Sequence, residues 1–362
     1  MLIVIFGAGA SYDALGDSPP MPPASGLRPD MSFMDIKYRL PLAKELFDGR
    51  ELFAAGIERF QECSPVVTRL RRLPSGSNLE REIERLQGEA AGYPQRWVQL
   101  HAIRYYLRYI IWRCEVELIR GSKGVTNYAA LLDRLGYWRT LHPSEEVHFV
   151  TFDYDTLLER ACAAALELPF PSIVSYMSRI TRLYKPHGSV NWVRIVENSD
   201  VDAANPEHSI IQLGDSLRLR QDSYHVQAPA TSPALFEGQN VYPAIALPLE
   251  TKSAFECPVS HLHYLRRDIA NVTRLLVVGW RATEAHFLDL WKEQARVAHL
   301  AKVAIVAGTL HDAQEVEQHL RNGGIGVPTP LAPTPPSETR FLLFDKGFTE
   351  FLTSPMLDEF LA

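Results

Sequence analysis

The chain has 362 residues, 46% of them apolar, and a net charge of −6 at pH 7. That length and content bury a sizeable core in one large or two medium domains. The acidic balance, with a pI of about 6.1, gives no global basic field for nucleic acid or acidic membranes. Apolar windows are interrupted by charge, as Arg104, Arg108 and Arg113 show around residues 103–119, so no membrane span is expected. Residues 1–6 are too short and lack the basic leader of a signal peptide. Cys63, Cys114, Cys162 and Cys257 form no C-x-x-C pair and read as reduced thiols of a cytoplasmic protein.

The first predicted element is LIVIF at residues 2–6, an unbroken β-branched and aromatic run of the kind found in a central parallel strand buried on both faces. FGAGAS at 6–11 continues it as a strand, a tight turn and a helix. Gly7 and Gly9, with Ala8 between them, would let backbone N–H groups approach a pyrophosphate, and Ser11 would hydrogen-bond it. Tyr12 stands where the third glycine of the dinucleotide fingerprint belongs, and no strand ending in an acidic residue follows about twenty residues on, which argues against an ordinary dehydrogenase. The absence of Gly-Lys-Ser/Thr after the turn argues equally against a phosphate-loop ATPase.

Residues 17–28 are rich in Pro, Ser and Gly and read as a mobile loop, while residues 41–136 read as helical. Charge alternates across 79–87, and an apolar stripe runs through 101–119. This stretch is too long for a simple crossover, so it is expected to form a helical insertion lobe within a single domain covering 1–362. The stripe serves either as core or as a surface for another subunit.

A second strand is predicted at 147–152, running into TFDYDTLLE at 151–159. There Thr156 to Glu159 has the form of a capping box, and Asp155 reads as a helix cap. YKPHGSVNW follows at 184–192, and a polar stretch at 195–238 is expected to form loops and short hairpins. Further strands are predicted at 275–278, ending in Gly279-Trp280, and at 303–306, ending in Ala307-Gly308. A second proline-rich loop at 328–337 leads to RFLLF and an amphipathic helix at 348–360. Strands alternating with helices predict an α/β fold with a doubly wound parallel sheet, whose ligand lies beyond the carboxyl ends of the strands. Of twelve histidines, His261 and His263 have no partnering Cys or acidic cluster, so no metal site is expected. His187 differs through its neighbours: Gly188 allows close backbone approach and Ser189 can donate to phosphate or ribose.

In this order, the glycine turn, T-x-D-Y-D, K-x-H-G-S and V-G-W resemble the sirtuin-like family, and within it the bacterial NAD-cleaving proteins of antiphage defence. The resemblance implies a sirtuin-like Rossmann variant that takes NAD as substrate. It makes His187 the catalytic base, a task suited to an imidazole whose ordinary pKa is about 6.5. It places Asp153, the second catalytic residue, where the family has Asn, beside the ribose with Asp155. A carboxylate there would stabilise the positive charge that develops on the ribose. It also brings Gly279, Trp280 and Gly308 to the ribose and adenine side. Ala282 and Glu284 replace the family's Ser and Asp, and Pro186 its Leu. Deacylating sirtuins carry a zinc module with two C-x-x-C pairs, a spacing that the four cysteines of this chain do not supply, so no zinc is expected and water becomes the acceptor. The implied function is an NAD+ glycohydrolase releasing nicotinamide and ADP-ribose, acting as a homo-oligomer or with a partner such as a translocase-type ATPase or short argonaute, and without direct nucleic-acid contact. The alternatives are a non-catalytic NAD or ADP-ribose-binding subunit, or an NAD-dependent deacylase or ADP-ribosyltransferase.

Overall fold

The computed structural model describes residues 1–15, 38–73, 79–228, 234–248, 255–294, 300–326 and 339–362. The expected proline-rich loops at 17–28 and 328–337 lie outside these residues. The centre is a six-stranded sheet built from β1 (Leu2–Phe6), β2 (Val147–Thr151), β3 (Leu183–Tyr184), β8 (Arg274–Val278), β9 (Lys302–Val306) and β10 (Arg340–Phe344). Its order is β10-β9-β8-β1-β2-β3, and every pairing is parallel. Counted within this sheet alone, that is the 3-2-1-4-5-6 order of doubly wound dinucleotide-binding sheets. The chain reverses direction of winding between β1 and β8, the switch point of the topology.

The unbroken apolar runs have the physical cause read from the sequence. Side chains alternate across a strand, and both faces of β1 are covered: Leu2, Val4 and Phe6 join one core, Ile3 and Ile5 the other. The same split divides Leu276 and Val278 from Leu275 and Val277, and Ala304 and Val306 from Val303 and Ile305. One layer consists of the helices Val259–Ile269, Ala285–Gln294 and Leu310–Asn322, whose Leu265, Phe287 and Val316 fill the second core. The opposite layer holds the helices Asn127–Leu141, Leu157–Ala165, Gly347–Thr353 and Pro355–Leu361.

Between β1 and β2 the described chain is helical, with Glu51–Arg59, Ser64–Arg71, Leu79–Glu89 and the 28-residue Gln95–Ser122 preceding Asn127–Leu141. The apolar stripe of Gln95–Ser122 is core: Ile103, Leu107, Ile110, Cys114 and Leu118 are all buried. Its polar members bind a second sheet. Arg108 Nε donates to Val190 O at 2.8 Å, Arg104 Nε to Ile245 O at 3.0 Å, and His101 Nδ1 meets the Tyr242 hydroxyl at 2.6 Å. That sheet is antiparallel, in the order β5-β4-β7-β6, from β4 (Gly188–Val196), β5 (Leu219–Val226), β6 (Leu235–Phe236) and β7 (Gln239–Ile245). The polar stretch expected as loops and hairpins is therefore more ordered, and it also holds the helix Pro206–Gln212. The amphipathic helix expected at 348–360 is two helices, broken at Ser354-Pro355 because proline has no N–H to continue the ladder.

Gly188 adopts φ +78°, and a Cβ there would stand 1.9 Å from Ala244 O. A Cβ on Gly308 would meet nothing within 4 Å. Gly188→Ala should therefore lower the thermal midpoint steeply or abolish soluble expression, whereas Gly308→Ala should stay within about 0.5 kcal/mol of wild type. Thermal unfolding of both variants checks this, and equal midpoints would contradict the packing described.

Candidate functional site

Strand register brings the site together. Phe6 lies opposite Thr151 and Val278, Val278 opposite Val306, and Val306 opposite Phe344, so the segments that leave these strands emerge side by side at one edge. At the switch point the turns after β1 and β8 interlock. Gly7 N–H donates to Val278 O at 3.1 Å and Gly9 N–H to Gly279 O at 3.1 Å. A Cβ on Gly7 would lie 2.7 Å from Trp280 Cα, one on Gly9 2.9 Å from Gly279 Cα, and one on Gly279 2.3 Å from Ala10 N. The glycines thus permit two backbones to touch. The two N–H groups expected at a pyrophosphate are committed to this contact, and Ala8 stands half-exposed between them.

Trp280 packs flat on Phe152, ring centroids 4.8 Å apart at 10°, and the Phe152 and His187 rings meet at a steep angle, centroids 4.9 Å apart. His286 stacks beside His187 at 6.0 Å. His187 itself is 2% exposed and sits where the last strand of the parallel sheet passes into the antiparallel one. Its segment is clamped there: Ala246 N–H donates to His187 O and Glu256 N–H to Pro186 O, each at 2.9 Å. Ser189 Oγ donates to Tyr154 O at 3.2 Å, and Val190 N–H donates to the same carbonyl at 2.8 Å. In this geometry Ser189 fastens His187's segment to the strand end of β2.

Asp153, 7% exposed, accepts from Ser11 Oγ at 3.2 Å and from the Tyr128 hydroxyl at 3.4 Å, and those hydroxyls lie 2.8 Å from each other. Burial, then the neighbouring Asp155, push its carboxyl up from 3.8 to about 8, against the opposing pull of Lys185. Burial likewise raises Asp155, to about 6. Asp155 Oδ1 accepts Leu157 N–H at 3.0 Å and so caps the helix as read. Thr156 does not form the expected capping box: its hydroxyl and its N–H both turn to Glu115. Lys185, wholly buried, donates to Asp155 O and, at 2.8 Å, to Glu159.

Gly7, Gly9, Ser11, Asp153, Asp155, His187, Gly188, Ser189, Gly279 and Trp280 are thus gathered around the strand ends, and Gly308 follows β9 on the same edge. Three participants escaped the sequence reading: Tyr128, Glu115 and His286. Tyr128 reaches Ser11 across 117 positions of chain, and such pairs leave no local spacing to detect. His261 binds Ile173 O at 3.2 Å. Among the described residues no group of three His, Cys, Asp or Glu could hold a metal, and no helix is long and apolar enough to cross a membrane.

No protein-family model matches the sequence, and no curated protein is detectably similar to it. Among solved structures the chain is similar to a Sir2 homologue–NAD complex, at 13% identity and TM-score 0.36, over 100% of this chain and 90% of that one. It is also similar to a Sir2 homologue mutant–ADP-ribose complex, at 13% identity and TM-score 0.37, over 99% and 90%. Sir2 bound to an acetylated peptide gives 13% identity and TM-score 0.36, over 100% and 94%. Likeness this distant does not carry function across.

The raised Asp153 carboxyl makes stability depend on pH. Between 3.8 and about 8 the unfolded chain loses a proton that the folded chain keeps, so stability falls as pH rises through that window. Asp153→Asn removes this loss. Its midpoint relative to wild type should climb steadily from pH 4 to pH 8 in thermal unfolding, and a constant difference would refute the shift.

Proposed function

We propose that this chain is an NAD+ glycohydrolase, cleaving NAD+ to nicotinamide and ADP-ribose. One arrangement supports the reading: at the strand ends of a 3-2-1-4-5-6 sheet, where dinucleotides bind, Phe152 joins His187 to Trp280 while the adjacent Asp153 bonds Ser11. His187 is the base. Water oxygen bonds to ribose C1′, the C1′–N bond breaks, and its electron pair cancels the pyridinium charge of the leaving nicotinamide. His187 takes the proton that water gives up. Asp153 and Asp155 stand at the ribose, Ala8 toward the pyrophosphate, and Gly308 toward the adenine, while Ser11 holds Asp153.

Unchecked NAD+ hydrolysis is toxic, so such an enzyme needs a trigger. The proposed setting is antiphage defence by NAD+ depletion, with control from self-association or from a partner such as a translocase-type ATPase or short argonaute. A second reading, a non-catalytic NAD or ADP-ribose-binding subunit, is favoured by Asp153 in place of the Asn that the sirtuin-like pattern carries.

Chromatographic analysis of nicotinamide and ADP-ribose after incubation with NAD+ separates the two. His187→Ala should lose at least about a hundredfold in turnover while still binding NAD+. Undiminished turnover in that variant would overturn His187 as base, and binding without turnover in wild type would favour the second reading.

A further inference from the structure

The Asp153 carboxylate oxygen Oδ2, Ser11 Oγ and the Tyr128 hydroxyl form a closed triangle with edges of 3.2, 2.8 and 3.4 Å. A hydrogen bond needs one hydrogen per edge. Two hydroxyls supply two hydrogens, so an ionised Asp153 leaves one edge, the 3.4 Å one to Tyr128 at its longest, without a hydrogen. A proton on Oδ2 completes the ring: acid to one hydroxyl, that hydroxyl to the other, and the second back to the acid. Tyr128 keeps its own proton, since burial and the two aspartates raise its pKa well above 10.

The surroundings favour the same state. The buried ammonium nearby, Lys185, is directed at Asp155 O and Glu159, whereas the Asp153 carboxyl meets the hydroxyls of Ser11 and Tyr128. Around it stand Asp155 on the same strand end, Lys185 at the end of β3, Tyr128 on Asn127–Leu141 and Ser11 after β1. An unpaired buried carboxylate is costly, and such groups take up a proton instead.

We infer that Asp153 works as a neutral carboxylic acid whose proton is held in a ring with Ser11 and Tyr128, so that Oδ1 offers a ribose hydroxyl or water the same uncharged acceptor as an asparagine amide. The second half of this rests on the NAD+ reading above; the protonation stands apart from it. Tyr128 is then a positioning residue of the site, supplied by the helical stretch between β1 and β2. The neutral acid also removes the repulsion that a carboxylate would exert on a pyrophosphate.

Infrared difference spectra of the full chain, wild type minus Asp153→Asn, test the inference. The expected result is a protonated-carboxyl C=O band at pH 7 that is absent from Asp153→Asn and titrates away as pH passes through about 8. Tyr128→Phe should shift the frequency of that band and displace the alkaline limb of NAD+ cleavage, a limb that Asp153→Asn should lack. Carboxylate bands alone at pH 7 would overturn the inference, and a band and limb unmoved by Tyr128→Phe would overturn the part assigned to Tyr128. The two readings fail separately. A carboxyl band in a chain that neither binds nor cleaves NAD+ leaves the protonation standing without the NAD+ reading. Carboxylate bands in a chain that cleaves NAD+ do the reverse.

Discussion

Everything at this site depends on two turns that touch. The backbone after β1 lies against the backbone after β8 closely enough that a methyl group on Gly7, Gly9 or Gly279 would collide with main-chain atoms. The contact occurs at the switch point of the sheet, and the strand register places the ends of β2 and β9 in line with it. Without it, Ser11 and Trp280 would lose the positions from which they meet Asp153 and Phe152. The glycine turn, which in many nucleotide sites is open to phosphate, here joins two halves of the fold first.

A second constraint lies beneath the first. Asp153, Asp155, Glu115 and Glu159 are all buried within a short stretch of structure, with Lys185 the fully buried cation among them. Lys185 and Glu159 form the buried ion pair, Glu115 takes the Thr156 N–H and the Arg160 guanidinium, and Asp155 caps a helix. Each of these carboxylates has donors that suit a negative charge. Asp153 has two hydroxyls that also need each other, which makes it the member whose charge is least supported.

Much of this was legible in the sequence because buried parallel strands are continuous apolar runs. LIVIF, the run from Val147, and those ending at Val278 and Val306 each formed the strand expected, and their glycine and aspartate punctuation marked the ends that converge. The polar stretch after Ile195 was harder to read. Its main strand, β5, is half exposed and so carries no apolar run; its order comes from pairing with β4 and from His101 and Arg108 reaching Gly214 O and Gln227 from a helix. Ser189 shows the same limit: its residue type suits a phosphate, but its neighbour in space is the Tyr154 carbonyl. Tyr128 was illegible for the opposite reason, since nothing near it in sequence belongs to the site.

The central claim is that the strand ends hold NAD+, and the most direct measurement is amide hydrogen exchange in His187→Ala with and without saturating NAD+. The account predicts new protection confined to the segments around Ala8–Tyr12, residues 152–156, 185–189 and 279–282. Protection confined to other segments, or none at saturation, would contradict it.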